Sequence, residues 1–211
     1  MLKANRKISI IISGLVILLS VIFYIVILRP QQFYYNAHHV SVNGTYLLKP
    51  LPIEDFEVID NHNHSFTKAN LKNHWTMLFF GFTHCEMVCP TTLSALNQMY
   101  KILEKSLPEA KLPQVVFITV DPDRDTIEKL NEYVTSFNPD FKAGRATTEK
   151  TIALEKQFNI VSTTQQVNGS YTINHSPDIL LINPDAKIQA YLSYPHHQEA
   201  LVKDYNSIIS K

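Results

Sequence analysis

The chain is poor in cysteine and has no excess of either charge. Only two of its 211 residues are cysteines, which excludes the disulfide-dense scaffolds of small secreted domains. Lysine and arginine together number 19, as do aspartate and glutamate. Because the chain has no net positive field, we expect no nucleic-acid partner. It also lacks internal repeats and low-complexity runs beyond its N-terminal segment, which predicts a single folded domain.

One long apolar run lies near the N-terminus. Residues 8–28 read ISIIISGLVILLSVIFYIVIL, without a charge or a proline. At roughly 1.5 Å per residue, such a helix crosses about 30 Å of hydrocarbon, so the run predicts a transmembrane anchor. A cleaved signal peptide is the alternative, but its apolar part usually has about 7–15 residues and ends in a small-residue cleavage site, which is not found here.

The charges around this run predict its orientation. Three basic residues precede it and one follows closely: Lys3, Arg6, Lys7 and Arg29. The positive-inside rule then assigns the N-terminus to the cytoplasm and the rest of the chain to the other side. The simplest topology is a single-pass protein of the bacterial cytoplasmic (inner) membrane with its C-terminal domain in the periplasm. An organellar transit peptide would precede the anchor, and here hydrophobicity starts at residue 8.

Apolar runs alternate with helical patterns in the second half of the chain. WTMLFFGF at 75–82 and QVVFITVD at 114–121 predict two buried, parallel strands. The apolar spacing of residues 91–107 predicts a helix between them, which gives a right-handed βαβ unit. A second helix is predicted over 125–137 with Asp125 as its N-cap, and a third over 148–158.

The remaining elements predict the fold class. A hairpin is expected at 56–71, two strands around the turn at 183–186, and a closing helix at 197–209. We therefore expect an α/β fold, a thioredoxin-like three-layer sandwich with a mixed central sheet, preceded by an N-terminal transmembrane helix. The expected division is a cytoplasmic N-terminus (1–7), the anchor (8–28), a spacer ending in a short strand near Gly44 (29–49) and the thioredoxin-like domain (50–211).

Both cysteines lie in GFTHCEMVCP, residues 81–90, at Cys85 and Cys89. On a regular helix their Cβ atoms would be about 5–6 Å apart, whereas a relaxed disulfide needs about 3.5–4.5 Å. A disulfide therefore requires a loop or a distorted turn, while a metal ion tolerates wider spacing. Since the pair lies between a strand and a helix, we expect both sulfurs to be more reactive than free cysteine. Redox chemistry, soft-metal binding and a plain structural disulfide remain open, whereas the motifs for covalent haem and structural zinc are missing.

Two thiolates and a nearby imidazole would suit Cu(I) or Cu(II). Nine histidines are present, and most fall in apparent loops or at the ends of elements. His84 adjoins Cys85, but adjacent residues in extended chain point in opposite directions, which favours a supporting role. His175 directly precedes an apolar strand, so it would reach the cysteines only if its loop faces them.

Three stretches together resemble the Sco/SenC family of copper chaperones, which assist the assembly of cytochrome c oxidase: GFTHCEMVCPTTL, FITVDPDRDT and INHSPDILLINPD. The resemblance covers roughly residues 50–211, with the stretches in the family's order. It implies a thioredoxin-like domain that binds copper through Cys85, Cys89 and His175. The chain departs from the family at Glu86 and Met87, where the family commonly has Pro-Asp.

The resemblance also implies what the domain does and with which partners. It would deliver copper to the binuclear copper site of the oxidase's copper-bearing subunit, or reduce the cysteines of that site. Cys85 and Cys89 would then be catalytic in thiol-disulfide exchange, and a second periplasmic copper chaperone or a thiol reductant would be a further partner. The alternatives are a metal-independent periplasmic thiol-disulfide oxidoreductase and a peroxidase of the peroxiredoxin type.

For Asp121 and Arg124 we expect structural roles in the turn after a strand.

Overall fold

The computed structural model describes residues 2–28, 41–167 and 169–210, which form two separate units divided after residue 40. The first unit contains helix α1 (Leu2–Phe23), which continues as a π-helical turn (Tyr24–Leu28). None of the helices in the described ranges combines the length and the apolar character of a membrane span. The anchor expected at 8–28 stays a prediction. Residues 29–40 of the expected spacer lie outside the described residues.

The second unit contains ten strands among its described residues. In chain order they are β1 (Gly44–Pro52), β2 (Glu57–Asp60), β3 (Ser65–Thr67), β4 (Thr76–Gly81), β5 (Gln114–Thr119), β6 (Lys142–Arg145), β7 (Ser162–Val167), β8 (Ser170–His175), β9 (Ile179–Ile182) and β10 (Lys187–Leu192). Eight of them form one sheet in the order β1-β10-β9-β4-β5-β6-β2-β3. Strands β4, β5 and β6 are parallel, and the other pairings are antiparallel. The predicted mixed sheet is confirmed.

Four helices accompany these strands: α2 (Val88–Leu103), α3 (Ile127–Phe137), α4 (Thr148–Gln157) and α5 (Gln198–Ile209). Short 3₁₀ turns cover Lys68–Leu71 and Glu109–Lys111. The predicted helices are thus present, with boundaries shifted by a few residues. The predicted hairpin is β2–β3, and the predicted parallel pair is β4–β5.

The central strands are buried on both faces because they consist mainly of apolar residues. All six residues of β4 are buried, and ring contacts identify the layers on either side. Phe79 packs against Phe117, which in turn packs against Tyr133 of α3 at 5.7 Å between ring centroids. The neighbouring Phe80 packs instead against Phe158, just after α4, at 5.6 Å. Since successive strand residues face opposite sides, α3 and α4 cover opposite faces of the sheet.

Two sequence-based expectations are wrong in detail. The N-cap of α3 is Thr126, whose hydroxyl accepts a hydrogen bond from the Lys129 amide, and not Asp125, whose carboxylate points inward. The segment before β9 was expected to be a loop, but it is the hairpin β7–β8, a separate two-stranded sheet. This hairpin positions one of the predicted site residues.

Candidate metal centre

The cysteine loop connects β4 to α2 at the carboxyl end of the parallel strands. Residues 82–87 form this loop, and the Cys85 amide donates to the Phe82 carbonyl at 3.2 Å. The chain just after β5 is bonded to the end of β4 at the same level, since the Val120 amide donates to the Gly81 carbonyl at 2.8 Å. Cys85 therefore lies in a turn outside the helix, and the spacing limit for two cysteines on a regular helix does not apply.

Cys85 caps the helix that contains Cys89. The N-cap residue Met87 makes no side-chain capping bond. Instead the Cys89 amide, in the first turn of α2, donates to the Cys85 sulfur at 3.3 Å. The next residue, Pro90, has no amide hydrogen and so leaves no donor unsatisfied there. The Cys85 sulfur thus lies at the N-terminus of α2, a position at which anions are stabilised.

The second cysteine is packed against the end of β4. Cys89 is fully buried, whereas Cys85 is partly exposed, and both are free thiols. A Cβ atom on Gly81 would lie 2.9 Å from the Cys89 sulfur and 2.6 Å from the Phe117 ring. Glycine is therefore favoured at this position by the close approach of both the ring and the sulfur.

The two thiols differ in acidity. The Cys89 thiol donates to the Cys85 sulfur and lowers the pKa of Cys85 from 9.0 to about 4; the Cys89 and Met87 amides add to this shift and burial opposes it. The same hydrogen bond and burial raise the pKa of Cys89. The expectation that both sulfurs are activated is wrong, because only one of two adjacent thiols in a partly buried site ionises readily.

His175 reaches the cysteines from the end of the hairpin β7–β8. Its Nε2 atom lies 3.5 Å from the Cys89 sulfur, and its Nδ1 atom lies 2.9 Å from the Ser176 carbonyl oxygen. A carbonyl only accepts hydrogen bonds, so in the neutral ring Nδ1 carries the proton and Nε2 presents its lone pair to the sulfurs. The rings of Phe79 and Phe82 each hold the imidazole at 6.0 Å between centroids.

The structure thus brings together all three predicted residues, from a loop, a helix and a distant hairpin. An open groove of about 660 Å³ lies over them, between the cysteine loop and β8. Met87 is 68% exposed and lines this groove, and Glu86, which also lines it, is exposed. A soft ion bound there would remain reachable from solvent and by a partner protein.

Other histidines near the site have different partners. The Nδ1 atom of His84 lies 3.1 Å from the Thr83 hydroxyl and 3.7 Å from an oxygen of Asp125. His196 lies close to the Pro177 carbonyl, with 2.9 Å between Nε2 and the oxygen, and so supports the loop that follows His175. His38 and His39 lie outside the described residues.

A second group of possible ligands lies beside the cysteines. His84, Asp121 and Asp125 offer atoms within 4.8 Å of one another. The Asp125 carboxylate already accepts bonds from Thr83 and Thr119, and Asp121 is engaged by Arg124 and Tyr171. Because these oxygens are occupied and a guanidinium lies next to them, the thiol and imidazole donors form the more suitable metal site.

Sequence reasoning missed the hairpin and its contact with Arg124. The alternation of Tyr171, Ile173 and His175 with polar residues, after an Asn-Gly pair at 168–169, is typical of a two-stranded hairpin. This signal was available but weak, because β7 (Ser162–Val167) is mostly polar. The partner of Tyr171 lies 47 residues away at Arg124, which no local pattern indicates.

Comparison with known proteins adds evidence independent of this geometry. A family profile described as SCO1/SenC matches residues 47–210. The mouse (Mus musculus) protein named "Protein SCO2 homolog, mitochondrial" is 32% identical over 151 residues, covering 71% of this chain and 59% of the mouse protein. A zebrafish (Danio rerio) protein of the same name is 35% identical over 133 residues, covering 62% of this chain and 47% of that protein. The chain therefore spans about half the length of these relatives.

A solved structure shows the same fold. The crystal structure of Arabidopsis thaliana ScoI with copper bound gives a TM-score of 0.70 at 25% identity, covering 75% of this chain and 99% of that one. The mixed sheet, its flanking helices and the cluster of two thiols and an imidazole define a thioredoxin-like α/β domain with soft donors at the strand ends. More specifically, the chain belongs to the SCO1/SenC family.

Proposed function

We propose that this protein is a membrane-anchored copper chaperone that binds one copper ion through Cys85, Cys89 and His175. The observation that carries the proposal is the convergence of these three donors, with the imidazole Nε2 atom 3.5 Å from the Cys89 sulfur. Thiolates select soft ions such as Cu(I), and an imidazole also accommodates Cu(II). Copper is here the cargo, so it must be both held and released.

The surroundings of the donors support a site that exchanges its ion. Cys85 and His175 line an open groove, while Cys89 is buried behind them. An incoming ligand from a partner could therefore approach copper from the groove side without unfolding the domain. The hydrogen bond from Nδ1 of His175 to the Ser176 carbonyl fixes the orientation of the ring before copper arrives.

The acceptor that we propose is the copper-bearing subunit of cytochrome c oxidase, with its binuclear copper site as the destination. The support is membership of the SCO1/SenC family, because the sequence resembles its copper chaperones, which assist the assembly of cytochrome c oxidase. Another periplasmic copper chaperone would supply the ion.

We further propose that residues 8–28 anchor the domain in the bacterial cytoplasmic membrane, with the domain in the periplasm. The support is the uncharged apolar sequence, together with the side chains of residues 13–26 in the described helix, which are all exposed. A helix that is apolar on every side is stable only when buried in protein or lipid. The charge bias before the run supports the orientation.

A second activity, thiol-disulfide exchange, is favoured by one partly exposed and one buried cysteine at the same turn. The Cys85 thiolate would attack one of the two sulfurs of a client disulfide and form a mixed disulfide with it. The other client sulfur, here called the first because it leaves first, is released as a thiolate. Cys89 would then attack the Cys85 sulfur and give its proton to the second client sulfur as it leaves. The first client sulfur takes a proton from water, and the chain keeps a Cys85–Cys89 disulfide until a thiol reductant restores both thiols.

The two activities are separated by titrating the reduced full chain, purified in detergent, with copper in competition with a chelator. We expect one tightly held copper per chain. Replacement of either cysteine by alanine removes tight binding, and His175→Ala weakens binding of Cu(II) while thiol-disulfide exchange persists. His62→Ala, an exposed histidine in the β2–β3 turn, is the matched control and should behave as wild type. A reduced wild-type chain that retains no copper would sink the chaperone proposal and leave the exchange activity.

A further inference from the structure

The hairpin β7–β8 is held against the domain mainly by side chains. Its two strands pair with each other and form a sheet separate from the eight-stranded one. At the hairpin's base, the Ser176 amide donates to the Val161 carbonyl at 2.9 Å, which joins the two strand ends to each other, and the Ser162 hydroxyl donates to Glu155 of α4 at 2.9 Å. The bond to Glu155 lies at one end of the hairpin, so the angle of the hairpin to the domain depends on a second point of attachment.

That second point is a cluster of three residues, Asp121, Arg124 and Tyr171, which is here called the Arg124 cluster. The Tyr171 hydroxyl donates to Asp121 at 2.8 Å, and Nη1 of Arg124 donates to the Tyr171 carbonyl at 2.8 Å. The guanidinium lies over the Tyr171 ring, 3.7 Å from its centroid, and its Nε atom pairs with Asp121. Asp121 is 3% exposed, so the carboxylate of this ion pair is shielded from solvent.

The Arg124 cluster lies on the same face of the hairpin as the imidazole. Residues 171, 173 and 175 of β8 share one face because strand side chains alternate. Tyr171 is held by the cluster, Ile173 is 9% exposed, and His175 lies at the sulfurs. The Phe82 ring contacts both the Arg124 cluster and the imidazole, since its centroid is 5.9 Å from the Arg124 guanidinium carbon and 6.0 Å from the centroid of the His175 ring.

We propose that Arg124 is a positioning residue for copper: by tying Tyr171 to Asp121 it fixes the hairpin at the angle that presents His175 to the two cysteines. This proposal rests on the proposed copper function. Arg124 does not supply a copper ligand, so its effect must pass through His175. Loss of the cluster leaves both thiols in place but lets the imidazole leave the copper more often.

The test uses Arg124→Lys and the milder Tyr171→Phe, which keeps the stacked ring and removes only the bond to Asp121. A lysine keeps the charge but lacks the planar fork that bonds Asp121 and Tyr171 together. In the full chain loaded with Cu(II), we expect Arg124→Lys to speed loss of copper to EDTA by about tenfold, as for other groups that orient a ligand. We also expect weaker nitrogen hyperfine structure in the electron paramagnetic resonance spectrum. Tyr171→Phe should change the rate of copper loss and the hyperfine structure in the same direction, but by less.

Two controls make the assignment specific to the hairpin. Arg145 donates twice to the Pro122 carbonyl, at 3.0 and 2.7 Å, so it holds the same turn without reaching β8, and Arg145→Lys should release copper at the wild-type rate. In the His175→Ala background, Arg124→Lys should change the release rate by less than about twofold, because the two substitutions act through one contact.

A further measurement needs no copper. In the copper-free chain, the amides of residues 170–175 should exchange with deuterium faster in Arg124→Lys than in the wild type.

The outcomes separate this proposal from the copper function itself. A wild type that retains no copper overturns both. A wild type that binds copper, with Arg124→Lys and Tyr171→Phe releasing it at the wild-type rate, overturns only the positioning role. An equal effect of Arg124→Lys with and without His175 also overturns that role, since the residue would then act on the site by another route. If Arg124→Lys does not fold, Tyr171→Phe decides the question by the same criteria.

Discussion

Thr83 and Asp125, 42 positions apart in the chain, are joined by two hydrogen bonds: the Thr83 amide donates to the carboxylate at 3.1 Å and the Thr83 hydroxyl at 2.6 Å. The Thr119 hydroxyl, at the end of β5, donates to the same carboxylate at 2.6 Å. A fully buried carboxylate thus fastens the cysteine loop to the neighbouring strand. The loop's position is set from outside its own sequence.

We predict that Asp125→Ala lowers the free energy of unfolding by about 3 kcal/mol, because it leaves donors on the part-buried Thr83 and the buried Thr119 without an acceptor. Denaturant unfolding of the reduced chain measures this change. Asp123→Ala, in the same turn but exposed, should change the stability by no more than about 0.5 kcal/mol. Equal effects of the two substitutions would contradict the fastening role.

We predict that Gly81→Ala destabilises the domain by about 1–3 kcal/mol, because the added methyl group overpacks the core. The new Cβ atom would lie 2.6 Å from the Phe117 ring and 2.9 Å from the Cys89 sulfur. Combining it with Phe117→Leu relieves the first clash, so Gly81→Ala should cost less in that background, as a double-mutant cycle of unfolding free energies would show. Strict additivity would argue against this packing account.

We predict that Cys85 in the copper-free, reduced chain reacts with iodoacetamide at a rate that is nearly constant from about pH 6 to about pH 8. The thiolate is the reactive form, and the pKa of Cys85 is lowered to about 4, so the rate should fall only as the pH approaches that value. In the denatured chain the rate should instead rise about tenfold per pH unit up to the ordinary pKa. Cys89→Ala removes the largest cause of the lowered pKa and should shift the profile upward; a wild-type profile like that of the denatured chain would contradict the prediction.

Most of the sheet could be predicted from the sequence because its strands are apolar runs. WTMLFFGF and QVVFITVD have no polar face, and only a strand buried on both sides accommodates them. The N-cap of α3 was misassigned because Asp125 and Thr126 are both good capping residues locally. Only the tertiary contact of Asp125 with Thr83 decides between them.

For the site, the sequence predicted which residues take part but not how they are held. The cysteine spacing left redox and soft-metal chemistry open, and His175 was selected by the family resemblance. The positions of these residues depend on contacts across long separations, such as that of Arg124 with Tyr171. The difference in acidity between the two thiols also depends on burial, which their adjacent sequence does not indicate.

The central claim is that Cys85, Cys89 and His175 together bind copper, and X-ray absorption at the copper edge of the loaded full chain tests it most directly. We predict two sulfur neighbours and one imidazole nitrogen in the wild type, loss of the nitrogen alone in His175→Ala, and an unchanged spectrum in His62→Ala. A shell containing only sulfur, with Met87 as a third ligand, or a nitrogen that persists in His175→Ala, would contradict the account.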